Sequence, residues 1–156
     1  MTAPGSRVAS RVLGVDLGTR RIGLALSDPL GLLAGPLTVL ERTGDRAADH
    51  AAILGAAAGN DAAVIVVGVP LSLSTGRPGP AARAALAEVA ELRERAAAAD
   101  PPVTVEICDE RLTTVTAQRT LASGGVRARD RRARVDMVAA AVMLQSWLDA
   151  RPRTQP

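Results

Sequence analysis

The sequence of 156 residues contains no phenylalanine, tyrosine or lysine, and only one residue each of cysteine, histidine and tryptophan. Because aromatic residues are nearly absent, alanine, valine and leucine must fill the core, and stacking of bases on aromatic side chains is almost excluded. The single cysteine, Cys108, excludes an internal disulfide and a zinc site built from thiolates. We therefore expect a reducing, cytoplasmic environment.

Long apolar segments are absent as well. No run approaches the roughly 20 residues of a membrane-spanning helix, and the N-terminal segment lacks the apolar core of a signal peptide. The motifs G-x-x-x-x-G-K-[ST] and G-x-G-x-x-G do not occur, which argues against P-loop and dinucleotide-binding proteins. The only histidine, His50, has no acidic motif beside it, so we expect a surface residue rather than a general base.

The length allows one domain with a full core, and it is too short for the two large lobes of an actin-type ATPase. The hydrophobic fraction of 47% indicates a folded globular protein. There are no internal repeats and no linker between domains. We therefore predict a single domain over residues 1–156, with an ordered core from about residue 8 to residue 150.

The stretch Val12 to Asp28, VLGVDLGTRRIGLALSD, reads as a strand, a tight turn and a returning strand. The first apolar run stops at Asp16, and Gly18 allows the chain to turn closely. A carboxylate at the end of a core strand lies where the backbone can approach a phosphate or a metal. The alternative is that Asp16 only starts the turn, since aspartate is a common turn residue.

The rest of the chain alternates strands and helices. Apolar runs predict three further strands, and the spacing of apolar residues with Asp, Thr, Pro and Gly punctuation predicts four helices. The strands are expected at Leu37 to Arg42, Val64 to Val67 and Val103 to Ile107, and the helices at about 43–59, 80–100, 113–125 and 131–149, the last capped by Asp130. This order predicts an α/β fold whose mixed sheet contains one antiparallel hairpin and carries helices on both faces.

Two further carboxylates complete a candidate site. Glu110 follows the fifth predicted strand, and Asp136 shares a helical stripe with core residues. A carboxylate on an apolar stripe needs a counter-charge, which is either a metal ion or Arg132, four residues earlier. Hard oxygen ligands suit Mg²⁺ or Mn²⁺, and two such ions could clamp a phosphodiester and supply a hydroxide. Neighbouring residues of a strand point to opposite faces, so only one of Asp109 and Glu110 can join the site.

Arginines concentrate near Asp136, with five of them between positions 127 and 134. Such a block is typical of a phosphate-binding surface, although an alanine-rich and lysine-free chain can also carry it as a solvated face. The polar loop from Leu71 to Gly79 is expected to be mobile and to close over a substrate. The candidate nucleic-acid contacts are Arg77, Arg111, Arg127, Arg129, Arg131, Arg132 and Arg134.

Four segments in the same order and spacing resemble the YqgF-type (RuvX) pre-16S rRNA nuclease family, a ribonuclease H-like and Holliday-junction-resolvase-like group. They are GVDLGTRRIGLALSD, GVP with its glycine-rich turn, DERLTT and VDMVAAAVMLQSWL, and together they span roughly Val12 to Leu148. The resemblance implies a ribonuclease H-like five-stranded sheet of order 3-2-1-4-5. It also implies catalytic and metal-binding roles for Asp16, Glu110 and Asp136, and a role in maturing the 5′ end of 16S rRNA precursors.

Three other functions compete with a metal-dependent nuclease acting on RNA. They are a DNA-junction resolvase, a non-catalytic RNA-binding factor of ribosome assembly, and an actin-like ATP-binding fragment, which the length disfavours. The expected partners are pre-rRNA or DNA and ribosomal precursor particles, without a membrane. By analogy to junction resolvases, the chain is expected to be a monomer or a homodimer.

Overall fold

The computed structural model describes residues 10–71, 77–110 and 128–152, with residues 128–130 described as backbone only. Within these ranges the chain forms five strands and three helices. In order along the chain they are β1 (Arg11–Leu17), β2 (Arg21–Ser27), β3 (Ala34–Glu41), α1 (Arg46–Gly59), β4 (Ala62–Val69), α2 (Pro80–Ala97), β5 (Thr104–Asp109) and α3 (Ala128–Ala150).

The five strands form one mixed sheet in the order β3-β2-β1-β4-β5. Strand β2 runs antiparallel to both of its neighbours, whereas β1, β4 and β5 are parallel to one another. The predicted order and the single antiparallel strand are therefore confirmed. Because β1, β4 and β5 are parallel, their carboxyl ends meet at one edge of the sheet, which is where open α/β sheets place their ligands.

Helices cover both faces of the sheet. On one face, alternate residues of β1 and β4, such as Leu13 and Ile65, pack with Ile53 of α1 and Leu92 of α2. On the other face, a smaller cluster around Val66 packs against the final helix α3. In the part of the chain that the structure describes, no helix is long and apolar enough to cross a membrane.

Several predicted boundaries were wrong: β4 and β5 both end two residues later than predicted, and two starts differ more. Strand β3 begins at Ala34 rather than Leu37, because Ala34 pairs with Ser27 and donates its N–H to the Gln145 side chain at 2.8 Å. The described part of helix α3 starts at Ala128, so Asp130 lies inside the helix and is not its cap. Alanine and arginine are good helix formers, which explains why the helix extends to the earlier start. The helix predicted at 113–125 lies outside the described residues.

Candidate active site

Asp16 lies at the carboxyl end of β1 between two glycines. It is paired with Gly23 of β2 on one side and with Gly68 of β4 on the other. Side chains alternate along a strand, so Asp16 shares the face of Gly14, which lies under Leu144 of α3. The absence of side chains on both neighbours leaves room above the sheet for groups that approach Asp16 from either side.

Glu110 fills the space above Gly68. A Cβ atom added to Gly68 would lie 3.6 Å from the Cβ and Cγ atoms of Glu110. Gly68 is paired with Cys108, so Glu110, two residues later, emerges on the same face, whereas Asp109 is paired with Val69. The Glu110 and Asp16 carboxyl groups form a hydrogen bond. The structure thus brings Glu110 to Asp16. The strand pattern allowed only one of Asp109 and Glu110 to join the site, and the family resemblance selected Glu110.

Asp136 approaches from the other side, over Gly23. The backbone of α3 at Asp136 lies so close to the sheet that a Cβ atom on Gly23 would overlap the Asp136 carbonyl group. The Asp136 carboxylate forms an ion pair with Arg21, whose Nε lies 3.7 Å from Oδ2. The salt bridge to Arg132 considered from the helical spacing is not formed among the described residues, where the counter-charge comes from β2 instead.

The electrostatics of this cluster follow from burial and from like charges. Burial, the hydrogen bond that the protonated Asp16 carboxyl donates to Glu110 and the negative charges of Glu110 and Asp136 together raise the pKa of Asp16 to about 9. Burial also raises the pKa of Asp136, and the positive charge of Arg21 opposes that rise. At neutral pH, Asp16 therefore keeps its proton and donates it in the hydrogen bond to Glu110. A cluster of this kind becomes fully ionised at neutral pH only when positive charge is brought to it.

The arrangement offers oxygen ligands for a divalent cation without closing around one. Among residues 10–71, 77–110 and 128–152, no three acidic, histidine or cysteine side chains converge closely enough to hold one ion as they stand. Asp16 and Glu110 are in contact, whereas Asp136 is drawn towards Arg21. The chemistry of the donors fits Mg²⁺ or Mn²⁺, provided that the Asp136 side chain turns from Arg21 towards Asp16.

Two open clefts meet at the turn that follows Asp16. The first, of about 240 Å³, is lined by this turn together with Arg21, Arg132 and Asp136. The second, of about 410 Å³, is lined by the same turn, by Gly68 and Glu110, and by alanines of α2. Gly18 and Thr19 are common to both clefts. The turn is therefore a ridge between the clefts that contain Asp136 and Glu110.

The structure brings only part of the predicted arginine set to this region. Arg132 lines the first cleft and is exposed, as is Arg134. Arg77 and Arg131 are exposed, and their contact with nucleic acid stays a prediction. Arg111, Arg127 and the side chain of Arg129 lie outside what the structure describes, as does the greater part of the loop expected to close over substrate.

Arg21 was missed by sequence reasoning, although a signal was present. It is the first residue of β2, and it shares with Gly23 the strand face that points towards Asp136. A basic residue two positions before a glycine that a helix must approach is well placed to meet an acid on that helix. The arginine block at 127–134 was noticed instead, because a cluster of arginines is visible in the sequence, whereas the strand face that Arg21 shares with Gly23 has to be worked out.

His50 was expected at the surface, and this was wrong. Its side chain is 0% exposed, and Nε2 lies 3.0 Å from the Glu88 carboxylate, which is itself 6% exposed. Arg95 donates to Nδ1 of the same ring. This pattern assigns the ring proton to Nε2, so His50 is a neutral link between two charged side chains rather than a surface group.

A five-stranded sheet of order 3-2-1-4-5, with one carboxylate at the end of its central strand and two more beside it, is typical of the ribonuclease H-like class, to which the junction resolvases belong. The model of the RuvX family, described as a Holliday junction resolvase, matches residues 10–150. The chain therefore belongs to the RuvX family of nucleases. The resemblance seen in its four sequence motifs is thereby confirmed.

Relatives in mycobacteria carry the name "Putative pre-16S rRNA nuclease". The protein of Mycobacterium ulcerans (strain Agy99) is 46% identical over 142 residues, which cover 90% of this chain and 79% of the relative. The protein of Mycobacterium sp. (strain KMS) is 47% identical over 143 residues, covering 90% and 80%. The match thus extends over nearly the whole of this chain and most of each relative.

Two solved structures share the fold. The yeast mitochondrial Holliday junction resolvase Ydc2 matches with a TM-score of 0.55 and 11% identity, covering 90% of this chain and 78% of that one. Thermus thermophilus RuvC, solved in complex with a Holliday junction substrate, matches with a TM-score of 0.50 and 16% identity, covering 86% and 91%. At such identities the likeness concerns the fold alone.

Proposed function

We propose that this chain hydrolyses phosphodiester bonds in RNA, using a divalent metal ion held by Asp16, Glu110 and Asp136. The observation that carries the proposal is the contact between Asp16 and Glu110 at one sheet edge, with Asp136 brought over Gly23. Three acids crowded at a strand end destabilise the metal-free fold through mutual repulsion and burial. A cation bound at this position would relieve the repulsion, so the crowding of the acids favours cation binding.

Mg²⁺ or Mn²⁺ is the metal whose ligand preference fits these oxygens. When bound, such an ion supplies a Lewis acid for the phosphoryl oxygen and a hydroxide for the attack on phosphorus. Asp16 would lose its proton on binding it. The Asp136 carboxylate would exchange its Arg21 partner for the new positive charge, because the present ion pair at 3.7 Å is long and therefore weak.

Arginines hold the substrate backbone in this proposal. Arg21 lies in the cleft beside Asp136, and once released it can donate to a phosphate next to the scissile bond. Arg132 lines the same cleft from α3 and provides a second phosphate contact. Contacts of this type position a strand without reading its sequence. The position of cleavage would therefore be set by the shape of the substrate, which determines which phosphodiester bond lies next to the carboxylates.

The substrate we propose is the precursor of 16S rRNA at its 5′ end, within ribosomal precursor particles in the cytoplasm. The names of the mycobacterial relatives support this choice. The near absence of aromatic residues agrees with a protein that binds structured RNA through its backbone rather than by stacking on unpaired bases. The chain would act as a monomer or a homodimer.

A second candidate is cleavage of branched DNA, which the description of the family model as a Holliday junction resolvase favours. One experiment separates the candidates. Purified protein is incubated with labelled precursor RNA, single-stranded DNA and a four-way DNA junction, each with Mg²⁺, Mn²⁺ or EDTA. We expect metal-dependent cleavage of the precursor RNA. Cleavage of the junction alone would select the resolvase, and binding without cleavage would select a non-catalytic assembly factor.

The neighbouring acids Asp109 and Glu110 provide a matched pair of variants for this assay. Glu110→Gln should abolish cleavage and leave RNA binding largely intact, because it removes a metal ligand without removing arginines. Asp109→Asn should have a weaker effect, because Asp109 emerges on the opposite face of β5. An inactive Asp109→Asn beside an active Glu110→Gln would mean that the register of β5 is shifted by one residue.

A further inference from the structure

Buried polar side chains connect helix α2 to the turn that follows Asp16. Arg42, the residue after β3, donates from both terminal nitrogens to the Glu88 carboxylate, at 2.7 and 3.0 Å. Its Nε donates to the carbonyl oxygen of Gly18 at 2.9 Å, and its backbone N–H donates to that of Arg20 at 2.9 Å. The Arg42 side chain is only 17% exposed. One guanidinium thus joins the turn to the helix.

Further contacts prevent this guanidinium from moving. The Glu88 oxygen that accepts from Arg42 also accepts from Nε2 of His50. The carboxylate of Asp49 lies 3.7 Å from Arg42 and is held by the backbone and hydroxyl groups of Thr43. Because the five planar donors of arginine have fixed directions, a guanidinium held on two sides also fixes the acceptor on the third.

The acceptor on the third side belongs to the ridge between the two clefts. Gly18 donates its N–H to the carbonyl oxygen of Asp16 at 3.1 Å, so a displacement of the turn is transmitted to Asp16. Gly18 and Thr19 line both the cleft that contains Asp136 and the cleft that contains Glu110. A substrate that reaches both acids must cross this ridge.

We propose that Arg42 and Glu88 are positioning residues of the nuclease site. They hold the Gly18–Thr19 turn, and with it Asp16, in the position that cleavage of the substrate requires. The inference rests on the proposed function. Neither residue touches the reacting atoms in this account. Both act through the backbone of the turn, so their loss should slow turnover without weakening the binding of RNA.

The first test is the double variant Arg42→Met/Glu88→Gln. It removes a buried pair of opposite charges together, and such replacements are commonly neutral or stabilising for the fold. The glutamine keeps a carbonyl oxygen as an acceptor for His50. We expect kcat on precursor RNA to fall at least tenfold while KM stays within twofold. Hydrogen exchange of the amides at 18–20 should become at least tenfold faster.

Arg151→Met/Glu94→Gln is the matched control. Glu94 of α2 and Arg151, the residue after α3, are exposed and line neither of the two clefts. This variant removes one positive and one negative charge, as the double variant does, and leaves the hydrogen bonds of the turn unchanged. Its kcat, its KM and its exchange rates at 18–20 should equal those of the wild type.

Arg42→Lys covers the case in which the double variant fails to fold. Lysine keeps the charge beside Glu88, but it lacks the planar fork that also reaches the Gly18 carbonyl oxygen. The same loss of kcat and the same faster exchange are expected. Wild-type kcat, or wild-type exchange at 18–20, in a folded Arg42→Lys or double variant would overturn the inference.

The proposed function can fail independently. If the wild type cleaves none of the nucleic acids offered, the proposed function fails, and the exchange rates still decide whether Arg42 holds the turn. If the wild type cleaves and the double variant cleaves equally well, the positioning role fails while the nuclease stands. Equal losses in the double variant and in the charge-matched control would also overturn the positioning role, because they would reflect charge alone.

Discussion

Replacing Asp16 by asparagine should make the metal-free protein more stable while it destroys activity. The Asp16 carboxyl has a pKa of about 9 in the folded chain against 3.8 as an ordinary aspartate. At pH 7 the folded state must keep a proton that the unfolded state has released, which costs about 4 kcal/mol at about 1.4 kcal/mol per unit. Asparagine is neutral in both states, so Asp16→Asn avoids this cost.

The gain should be smaller than the full cost, because the amide must still find partners beside Glu110. A gain of roughly 2–4 kcal/mol corresponds to an increase of roughly 5–15 °C in the midpoint of thermal unfolding for a chain of this size. The contribution of the protonated Asp16 carboxyl to wild-type stability is fully present below pH 3.8 and is lost as the pH rises towards 9. The advantage of the variant should therefore be near zero at pH 4 and large at pH 8.5.

The measurement is thermal or chemical unfolding in EDTA at pH 4, 7 and 8.5, with Glu106→Gln as the control. Glu106 is an exposed acid of β5, and its replacement should change stability by less than about 0.5 kcal/mol. Millimolar Mg²⁺ or Mn²⁺ should raise the midpoint of the wild type and leave that of Asp16→Asn unchanged. A variant no more stable than the wild type at pH 7 and 8.5, or an advantage independent of pH, would refute the reasoning.

Two further predictions concern the glycine contacts and the arginines of α3. Gly23→Ala should lower the free energy of unfolding by about 1–3 kcal/mol and abolish activity, because its methyl group would overlap the backbone of α3. Gly68→Ala should stay folded, because its nearest neighbour is a flexible methionine side chain at 3.4 Å. Equal denaturation midpoints for the two variants would contradict this prediction. Replacing Arg132 and Arg134 by alanine should weaken binding equally to RNAs of different sequence. The slope of log affinity against log salt concentration should become smaller by roughly 1.5. Fluorescence titrations that give an unchanged slope would show that these arginines are not part of the binding surface.

The sheet was predictable because its signals are local. A strand, a glycine turn and a returning strand follow one another from Val12 to Asp28, and the apolar run around Val64 can only be a buried strand. Once the strands are ordered, the rule that parallel strands end at one edge brings Asp16 and Glu110 together. The alternation of side chains then allows only one of Asp109 and Glu110 to join Asp16, and the resemblance to the RuvX family selects Glu110. None of these steps needs a contact between distant side chains.

The buried network around Arg42 was not predicted, because its members come from four separate segments. The signal existed, however, in the helical spacing. Glu88 lies four residues before the buried Leu92, and His50 lies three residues before the buried Ile53. Each is a polar residue on an apolar stripe, which is the pattern that drew attention to Asp136. Applied to every helix, the same test would have placed both residues inside the protein.

The close packing of α3 on Gly23 has a consequence for how this protein can change during evolution. The height of Asp136 above the sheet is set by contact between two backbones, not by the sizes of the side chains around it. Apolar residues of the surrounding cluster can therefore be exchanged for others of similar volume without displacing the acid. The core sequence can therefore change while the active-site geometry is retained, as long as residue 23 remains a glycine without a methyl group.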